Sequence, residues 1–273
     1  MSAAPIAIVT TPTSQSRDST SPRLVVENLT KRFNGRPAIA DVSLSVVEHE
    51  FAAVLGPSGA GKTTLFRCIV GLVEPDRGTV RLDADDIARS IGRSRRRVAI
   101  VFQQFNLVSR LTALENVLAG RLGYVSTWRG CLRRFERSDS LLALECLDRV
   151  GMLGQATQRA DMLSGGQQQR VAIARALAQQ PRLIVADEPV ASLDPSSANS
   201  VMALLQRIAR SEGVAVVCSL HQEHFARSYA DRIIGLSHGR VVLAMAADRF
   251  DQAASARLYG AAESPSAHAG SVG

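Results

Sequence analysis

Long apolar runs are missing from this 273-residue chain. None approaches the roughly 20 residues that cross a bilayer, so the chain is not itself a channel. Cysteine is sparse. Cys68, Cys131, Cys146 and Cys218 are scattered, with no paired metal spacing, and read as reduced thiols in a cytoplasmic setting. Lysine is nearly absent: only Lys31 and Lys62 occur, and the other 30 of the 32 basic residues are arginines. No internal repeat is visible. A signal peptide needs a basic start and a longer apolar stretch than Ile6 to Val9. Residues 1–22 are rich in Ser, Thr, Pro and Ala, and 262–273 are similar; both are expected to be disordered tails. That leaves 23–261 as one folded domain. The 46% hydrophobic content is ordinary for a globular protein, and the length suffices for a full core. A net charge of +7 allows nucleic acid or an anionic membrane as neighbour without choosing between them.

The most informative stretch is Gly56-Pro57-Ser58-Gly59-Ala60-Gly61-Lys62-Thr63-Thr64. An apolar run, Phe51 to Leu55, precedes it and reads as a buried strand. Leu65 to Val70 follows and reads as a helix. Strand, Gly-x-x-x-x-Gly-Lys-Thr, helix is the pattern of a phosphate-binding loop. Gly56, Gly59 and Gly61 let the backbone turn tightly and aim N–H groups inward. The helix N-terminus adds its positive dipole end. Lys62 can reach β- and γ-phosphates, and the Thr63 hydroxyl can ligate Mg²⁺. In a chain so poor in lysine, Lys62 is suggestive: a compact ammonium fits between phosphates better than a guanidinium fork.

Other stretches supply candidate partners for that loop. Leu24 to Leu29 and the alternating Ile39, Val42, Leu44 and Val46 suggest a small antiparallel sheet. Phe33 lies in a polar turn, Lys31 to Gly35; it is either a base-stacking ring or a partly buried loop aromatic. Thr79 to Leu82 reads as a short strand, and Val98 to Phe102 as a buried strand that delivers Gln103 at its carboxyl end, where ligands of α/β sheets bind. Arg89, Arg93, Arg95, Arg96 and Arg97 read as a solvated face. Residues 106–160 look helical, with a capping box at Thr112 to Glu115 and a core stripe of Leu141, Leu142, Leu144, Leu147 and Val150. The sole tryptophan, Trp128, sits among arginines and is either a partner surface or a core anchor.

Ser164-Gly165-Gly166-Gln167 opens a second helix, with Ser164 as N-cap and bare N–H groups behind it. Leu183 to Ala186 is a buried strand running into Asp187 and Glu188. Adjacent acids there are costly without partners or work. Asp187 suits Mg²⁺, and Glu188 suits a general base for water attacking a γ-phosphate. Ser192-Leu193-Asp194-Pro195 starts the next helix. Val214 to Leu220 is another buried strand ending in His221, which is either structural or a phosphate ligand. Ile233 to Leu236 and Val241 to Ala244 read as a hairpin, and a short helix near 250–259 closes the domain.

In this order the motifs resemble the ATP-binding subunit of ABC transporters. The residues that carry the resemblance are Gly56 to Thr64, Gln103, Leu163 to Gln167, Val185 to Glu188, Ser192 to Asp194 and His221, within about 24–260. It implies an α/β fold: a RecA-like P-loop NTPase core, an antiparallel β subdomain and an inserted helical subdomain at about 106–165. It implies ATP and Mg²⁺ as cofactors. It further implies a homodimer enclosing two ATP molecules head to tail, with Lys62 and Thr63 of one copy facing Ser164, Gly165, Gly166 and Gln167 of the other. Asp194 would lie at that interface. Thr63, Gln103 and Asp187 would be the metal side, Glu188 would polarise the water and His221 would hold the γ-phosphate. Phe33 would stack on adenine, where many members have Tyr. Transmembrane permease subunits would dock near Gln103, at the cytoplasmic face of the inner membrane. A periplasmic solute-binding protein would join the complex without touching this chain. Asn116 to Gly123, Thr127 to Arg129, LSGGQQQRVAIARAL at Leu163 to Leu177, ADEPVASLDP at Ala186 to Pro195, and Leu220 to Gln222 resemble phosphonate importers in particular. A related oxyanion or a polar amino acid is the alternative cargo. The chain's end soon after the hairpin is expected to leave out the regulatory domain of many sugar importers. A nucleic-acid-associated ATPase would use the arginines at 89–97, but no long heptad insertion, zinc cysteines or second phosphate loop accompanies them.

Overall fold

The computed structural model describes residues 22–83, 85–87, 95–125 and 135–260. Residues 1–21 and 261–273, the Arg89 and Arg93 positions, and Thr127, Trp128 and Arg129 lie outside these. Strands β1 (Leu24–Phe33), β2 (Arg36–Val46), β4 (Arg77–Leu82) and β5 (Asp85–Asp86) form an antiparallel sheet in the order β2-β1-β4-β5. Strands β3 (Phe51–Leu55), β6 (Val98–Val101), β7 (Leu183–Asp187), β8 (Ala215–Ser219), β9 (Arg232–Ser237) and β10 (Arg240–Ala246) form the second sheet, ordered β10-β9-β3-β8-β7-β6. It is parallel except for the β9–β10 hairpin.

The central strands are apolar throughout because both of their faces are covered. Their residues divide by the two-residue period of a strand. Phe51, Ala53 and Leu55 join one core with Ile184, Ala186, Val216 and Cys218. Ala52 and Val54 join another with Leu183, Val185, Ala215 and Val217. Helix α1 (Lys62–Ile69) and the antiparallel sheet pack on the second face. Helices α2 (Ala113–Leu118), α3 (Arg137–Arg149), α4 (Gly165–Ala178), α5 (Pro195–Glu212) and α6 (Glu223–Tyr229) pack on the first, with α7 (Gln252–Gly260).

The antiparallel sheet departs from simple alternation for a local reason. In β1 the buried positions step from Val26 to Leu29, and in β2 from Ile39 to Val42. Asn28 and Asp41 take positive φ (49° and 58°) at these steps, and the pairing shifts register beside them. These are bulges, which change the side-chain phase by one residue. Side chains stitch them together: the Asn28 amide donates to Ser43 Oγ at 2.9 Å, and the Asp41 amide to Thr30 Oγ1 at 3.1 Å. Strand β1 also runs on to Phe33, so the expected turn is confined to Asn34 and Gly35, both at positive φ. Two such residues make a tight hairpin turn that matches the twist of the strands.

Among the described residues of 106–160, less is helical than the pattern predicts. A capping box between Thr112 and Glu115 does open α2, but the chain between α3 and α4 is mainly short 3₁₀ turns and loop. Helix α3 buries Asp139, Ala143, Cys146 and Leu147, a four-and-three-residue spacing. Four of the five members of the expected leucine stripe meet the core: Leu147 and Val150 lie in it and half-buried Leu142 and Leu144 pack against it, while Leu141 is 52% exposed on the opposite face. The turn before α2 is held by buried Asn116. Its Oδ1 accepts from the Val108 amide at 2.8 Å, and its Nδ2 donates to the carbonyls of Val108 and Thr112 at 3.2 and 3.0 Å. Asn116→Ala strands these groups and is expected to destabilise by roughly 1–3 kcal/mol, read as a Tm several degrees lower in thermal unfolding.

The basic stretch is not simply solvated. Arg97 pairs with Asp83 at 3.0 Å and with Asp85, and Asp83 also takes Arg23 at 2.9 Å. Arg97 precedes β6 and Asp83 follows β4, so this cluster ties the two sheets together. Cys68, Cys146 and Cys218 are buried free thiols; burial pushes Cys68 and Cys146 up to about 11. They are therefore poor nucleophiles.

Candidate functional site

Strand β3 ends directly at the glycine-rich loop. A Cβ on Gly56 would lie 2.0 Å from the Leu236 carbonyl oxygen, and one on Gly61 would lie 2.5 Å from that of Ala38. Both are backbone collisions, so packing as well as turn geometry requires glycine there. Gly61 is the N-cap of α1 and offers no side-chain cap. The first-turn N–H groups therefore have no intrahelical partner and face a cleft of about 230 Å³. Residues 58–64, Ala38, Glu188 and His221 line it.

Lys62 is 5% exposed. Its ammonium donates to the carbonyls of Gly56 at 2.7 Å and Pro57 at 3.2 Å, which holds the side chain over the loop. Burial lowers its pKa, while the carboxylates of Glu188 and Asp187 pull it back up. Lys31, the other lysine, has a structural partner: it pairs with Asp76 at 2.9 Å.

The acids arrive at the carboxyl end of β7. Asp187 stands beside Ser219 of β8 in register. Glu188 takes a left-handed φ of 50°, unusual for this residue type. Its amide donates to Ser219 Oγ at 2.9 Å, and that hydroxyl donates to Asp187 Oδ1 at 2.7 Å. Beyond β8, His221 brings Nε2 to 2.6 Å from Glu188 Oε1. Three strand ends thus converge on one cleft, as parallel sheets bind ligands at their carboxyl edge. Ser219 was not singled out by sequence reasoning. The signal was available: a hydroxyl in a fully buried strand needs partners.

The Ser164 motif lies elsewhere. Ser164 Oγ accepts from the Gln167 amide at 3.3 Å, and Gln167 Oε1 accepts from the Ser164 amide at 2.9 Å. Asp194 caps α5, accepting from the amides of Ser196 and Ser197 at 3.1 and 3.0 Å. Hydrogen bonds from Ser197 hold the Asp194 carboxyl below the usual range. A Cβ on Gly166 would meet Ser197 Oγ at 2.6 Å, so only glycine lets α4 and α5 start this close. Ser164, Gly166 and Gln167 line a polar cleft of about 330 Å³ with Arg170 and the serines of α5. It shares no residue with the loop cleft.

Of the expected loop-side members, Gly56, Pro57, Asp187, Gln103 and Phe33 do not line the loop cleft. Gln103 is exposed just past β6 and does not line it. The segment around it is anchored from α4, where Gln169 donates to the Phe102 carbonyl at 3.4 Å and Arg175 to those of Phe105 and Asn106 at 3.1 and 2.6 Å. Phe33 is 49% exposed, with the Lys31 ammonium 5.7 Å from its ring centre. Among the described residues no group of three or more His, Cys, Asp and Glu is placed to hold a metal ion. None of their helices is long and apolar enough to cross a membrane.

The profile of the ABC transporter family matches residues 39–191. A phosphonates import ATP-binding protein of Nostoc sp. is 49% identical over 232 residues, covering 84% of this chain and 88% of that protein. One from Rhodopseudomonas palustris is 50% identical over 223 residues, covering 80% and 83%. Among solved structures, a dimeric post-hydrolysis state of an ATP-binding cassette bound to ADP and Pi superposes with a TM-score of 0.70 at 35% identity, covering 83% of this chain and 100% of that one. A nucleotide-free cassette from an ABC transporter gives 0.75 at 26% identity, covering 83% and 92%. The profile takes in the glycine-rich loop, Gln103, Ser164 to Gln167 and the Asp187–Glu188 pair, and with these relatives it places the chain in the ABC transporter family, as an ATP-binding cassette.

Proposed function

We propose that this chain is the ATP-hydrolysing subunit of a phosphonate importer. It works as a homodimer docked on a membrane permease at the cytoplasmic face of the inner membrane. The observation that carries the cargo is the relationship at 49–50% identity to phosphonates import ATP-binding proteins. What supports the motor role is the cleft that brings Lys62, Thr63, Glu188 and His221 together.

The residues divide the work by their chemistry. The amides of Gly59 to Thr64 and the Lys62 ammonium bind phosphate oxygens. Thr63 and Asp187, with Gln103 on its loop, would supply the hard oxygen donors that hold a magnesium ion. Bound there, it would neutralise charge on the transferring phosphoryl group. Glu188 accepts the proton of the attacking water. His221 holds the γ-phosphate while its Nε2 bonds Glu188. Phe33 stacks on adenine.

One copy does not complete this site. The separation of the Ser164 cleft from the loop cleft supports a head-to-tail pair, in which Ser164, Gly165, Gly166 and Gln167 of one copy close on the ATP of the other. Asp194 fixes the start of α5 at that face. A periplasmic solute-binding protein delivers the cargo from the far side of the membrane without touching this chain.

Deleting the gene is expected to abolish growth on methylphosphonate as sole phosphorus source and spare growth on phosphate. The wild-type gene should restore it, and one carrying Glu188→Gln should not. Unimpaired growth on phosphonate, with loss instead on phosphite or an amino acid, would reassign the cargo.

A further inference from the structure

Ser219 joins the two acids at the end of β7, and nothing in the phosphate loop or the Ser164 motif accounts for it. We infer that Ser219 is the positioning residue of the hydrolytic site, holding Glu188 in its reactive geometry through a hydroxyl relay to Asp187. The inference rests on the reading of Glu188 as the general base.

The hydroxyl is fully buried and has a single proton. That proton goes to Asp187 Oδ1 at 2.7 Å, and a lone pair takes the Glu188 amide at 2.9 Å. The direction of the relay is thereby set: amide to hydroxyl to carboxylate. Each bond is of a kind the buried site demands, since a stranded amide or carboxylate there is costly. The amide bond also acts on a strained residue. Glu188 stands at φ 50°, a conformation that a glutamate keeps only when its surroundings over-determine it. Strand β7 runs flat up to Asp187, and the turn to left-handed backbone at Glu188 swings its carboxylate to His221 Nε2 at 2.6 Å. Without the Ser219 acceptor, the backbone can relax toward ordinary strand geometry and carry the carboxylate away.

A second cavity, of about 220 Å³, explains how such a relaxation has room to occur. It lies against the same Glu188 and His221, and Ser219, Val190 and Phe225 form part of its wall. Glu188 thus borders two open spaces. A hydrogen bond at its backbone does what packing does elsewhere.

The test compares Ser219→Ala, Ser219→Thr, Glu188→Gln and the Ser219→Ala/Glu188→Gln pair in the full chain. Ser219→Ala is expected to lower kcat about 10- to 100-fold, the range for a reacting group misplaced by about 1 Å. KM for ATP should change less than about threefold, because the phosphate-binding groups are untouched. Slowed hydrolysis should also make Ser219→Ala accumulate an ATP-bound dimer, read by sedimentation. Ser219→Thr keeps the hydroxyl and should recover most of kcat. In the Glu188→Gln background Ser219→Ala should cost nothing further, since the relay acts through Glu188. A Ser219→Ala protein that folds and turns over at the wild-type rate, beside an inactive Glu188→Gln, overturns the relay and leaves the base standing. An active Glu188→Gln overturns both. If Ser219→Ala does not fold, Ser219→Cys, with its weaker donor and acceptor, takes its place and must lower kcat at unchanged KM; wild-type kcat in that variant overturns the inference.

Discussion

Glu188→Gln is expected to bind ATP as the wild type does and to lose at least about 100-fold in turnover, the scale of a missing general base. Glutamine keeps the size of the side chain and an oxygen that can accept from His221, which lies 2.6 Å away in the native protein. It does not take a proton from water. The amide bond to Ser219 involves only the backbone and survives the change. Binding and chemistry therefore separate at this position. Steady-state phosphate release and equilibrium binding of ATP, measured on the same preparation, check both halves. Unchanged turnover would show that another group takes the proton.

The second large effect is at Lys62. Lys62→Ala is expected to weaken ATP binding about tenfold to 100-fold, from the loss of charge-assisted hydrogen bonds worth roughly 1.5–3 kcal/mol. The native ammonium is held by the Gly56 and Pro57 carbonyls at the rim of the cleft. Without it these oxygens face incoming phosphates with no intervening charge. The unliganded protein is expected to keep its stability, because burial opposes the charged ammonium in the first place. Lys62→Arg should not rescue binding, since the broader guanidinium must enter a position that is 5% exposed. Isothermal titration with a non-hydrolysable ATP analogue measures the first effect, and thermal unfolding without nucleotide measures the second. Wild-type affinity in Lys62→Ala would remove Lys62 from the binding site.

Much of the fold is legible because strand and loop chemistry dominate it locally. Phe51 to Leu55 and Leu183 to Ala186 are apolar at every position, which only a doubly covered strand requires. The glycine-rich loop is readable for the same reason: its spacing has one physical use. The bulges at Asn28 and Asp41 were not legible, since each rests on a hydroxyl from the opposite strand. The polar neighbours of Phe33 suggest a turn, yet Lys31, Arg32 and Phe33 are the last residues of β1 and only Asn34 and Gly35 turn. Leu141 was misplaced because a leucine-rich helix offers more than one apolar face, and α2 and α4 select among them. At the site, Glu188 and His221 were recognisable singly, but their contact depends on the left-handed turn at Glu188, which Ser219 supports from another strand. Gln103 shows the converse: the position is marked by sequence, while its loop stands clear of the phosphate cleft.

The central claim is that one chain carries two incomplete halves of an ATP site. Sedimentation of purified Glu188→Gln, with and without ATP, tests it most directly. The expected result is a monomer without nucleotide and a dimer with ATP, retaining one ATP per chain, and a dimer that Ser164→Arg prevents. A monomer at saturating ATP, or a dimer indifferent to Ser164→Arg, would contradict the account.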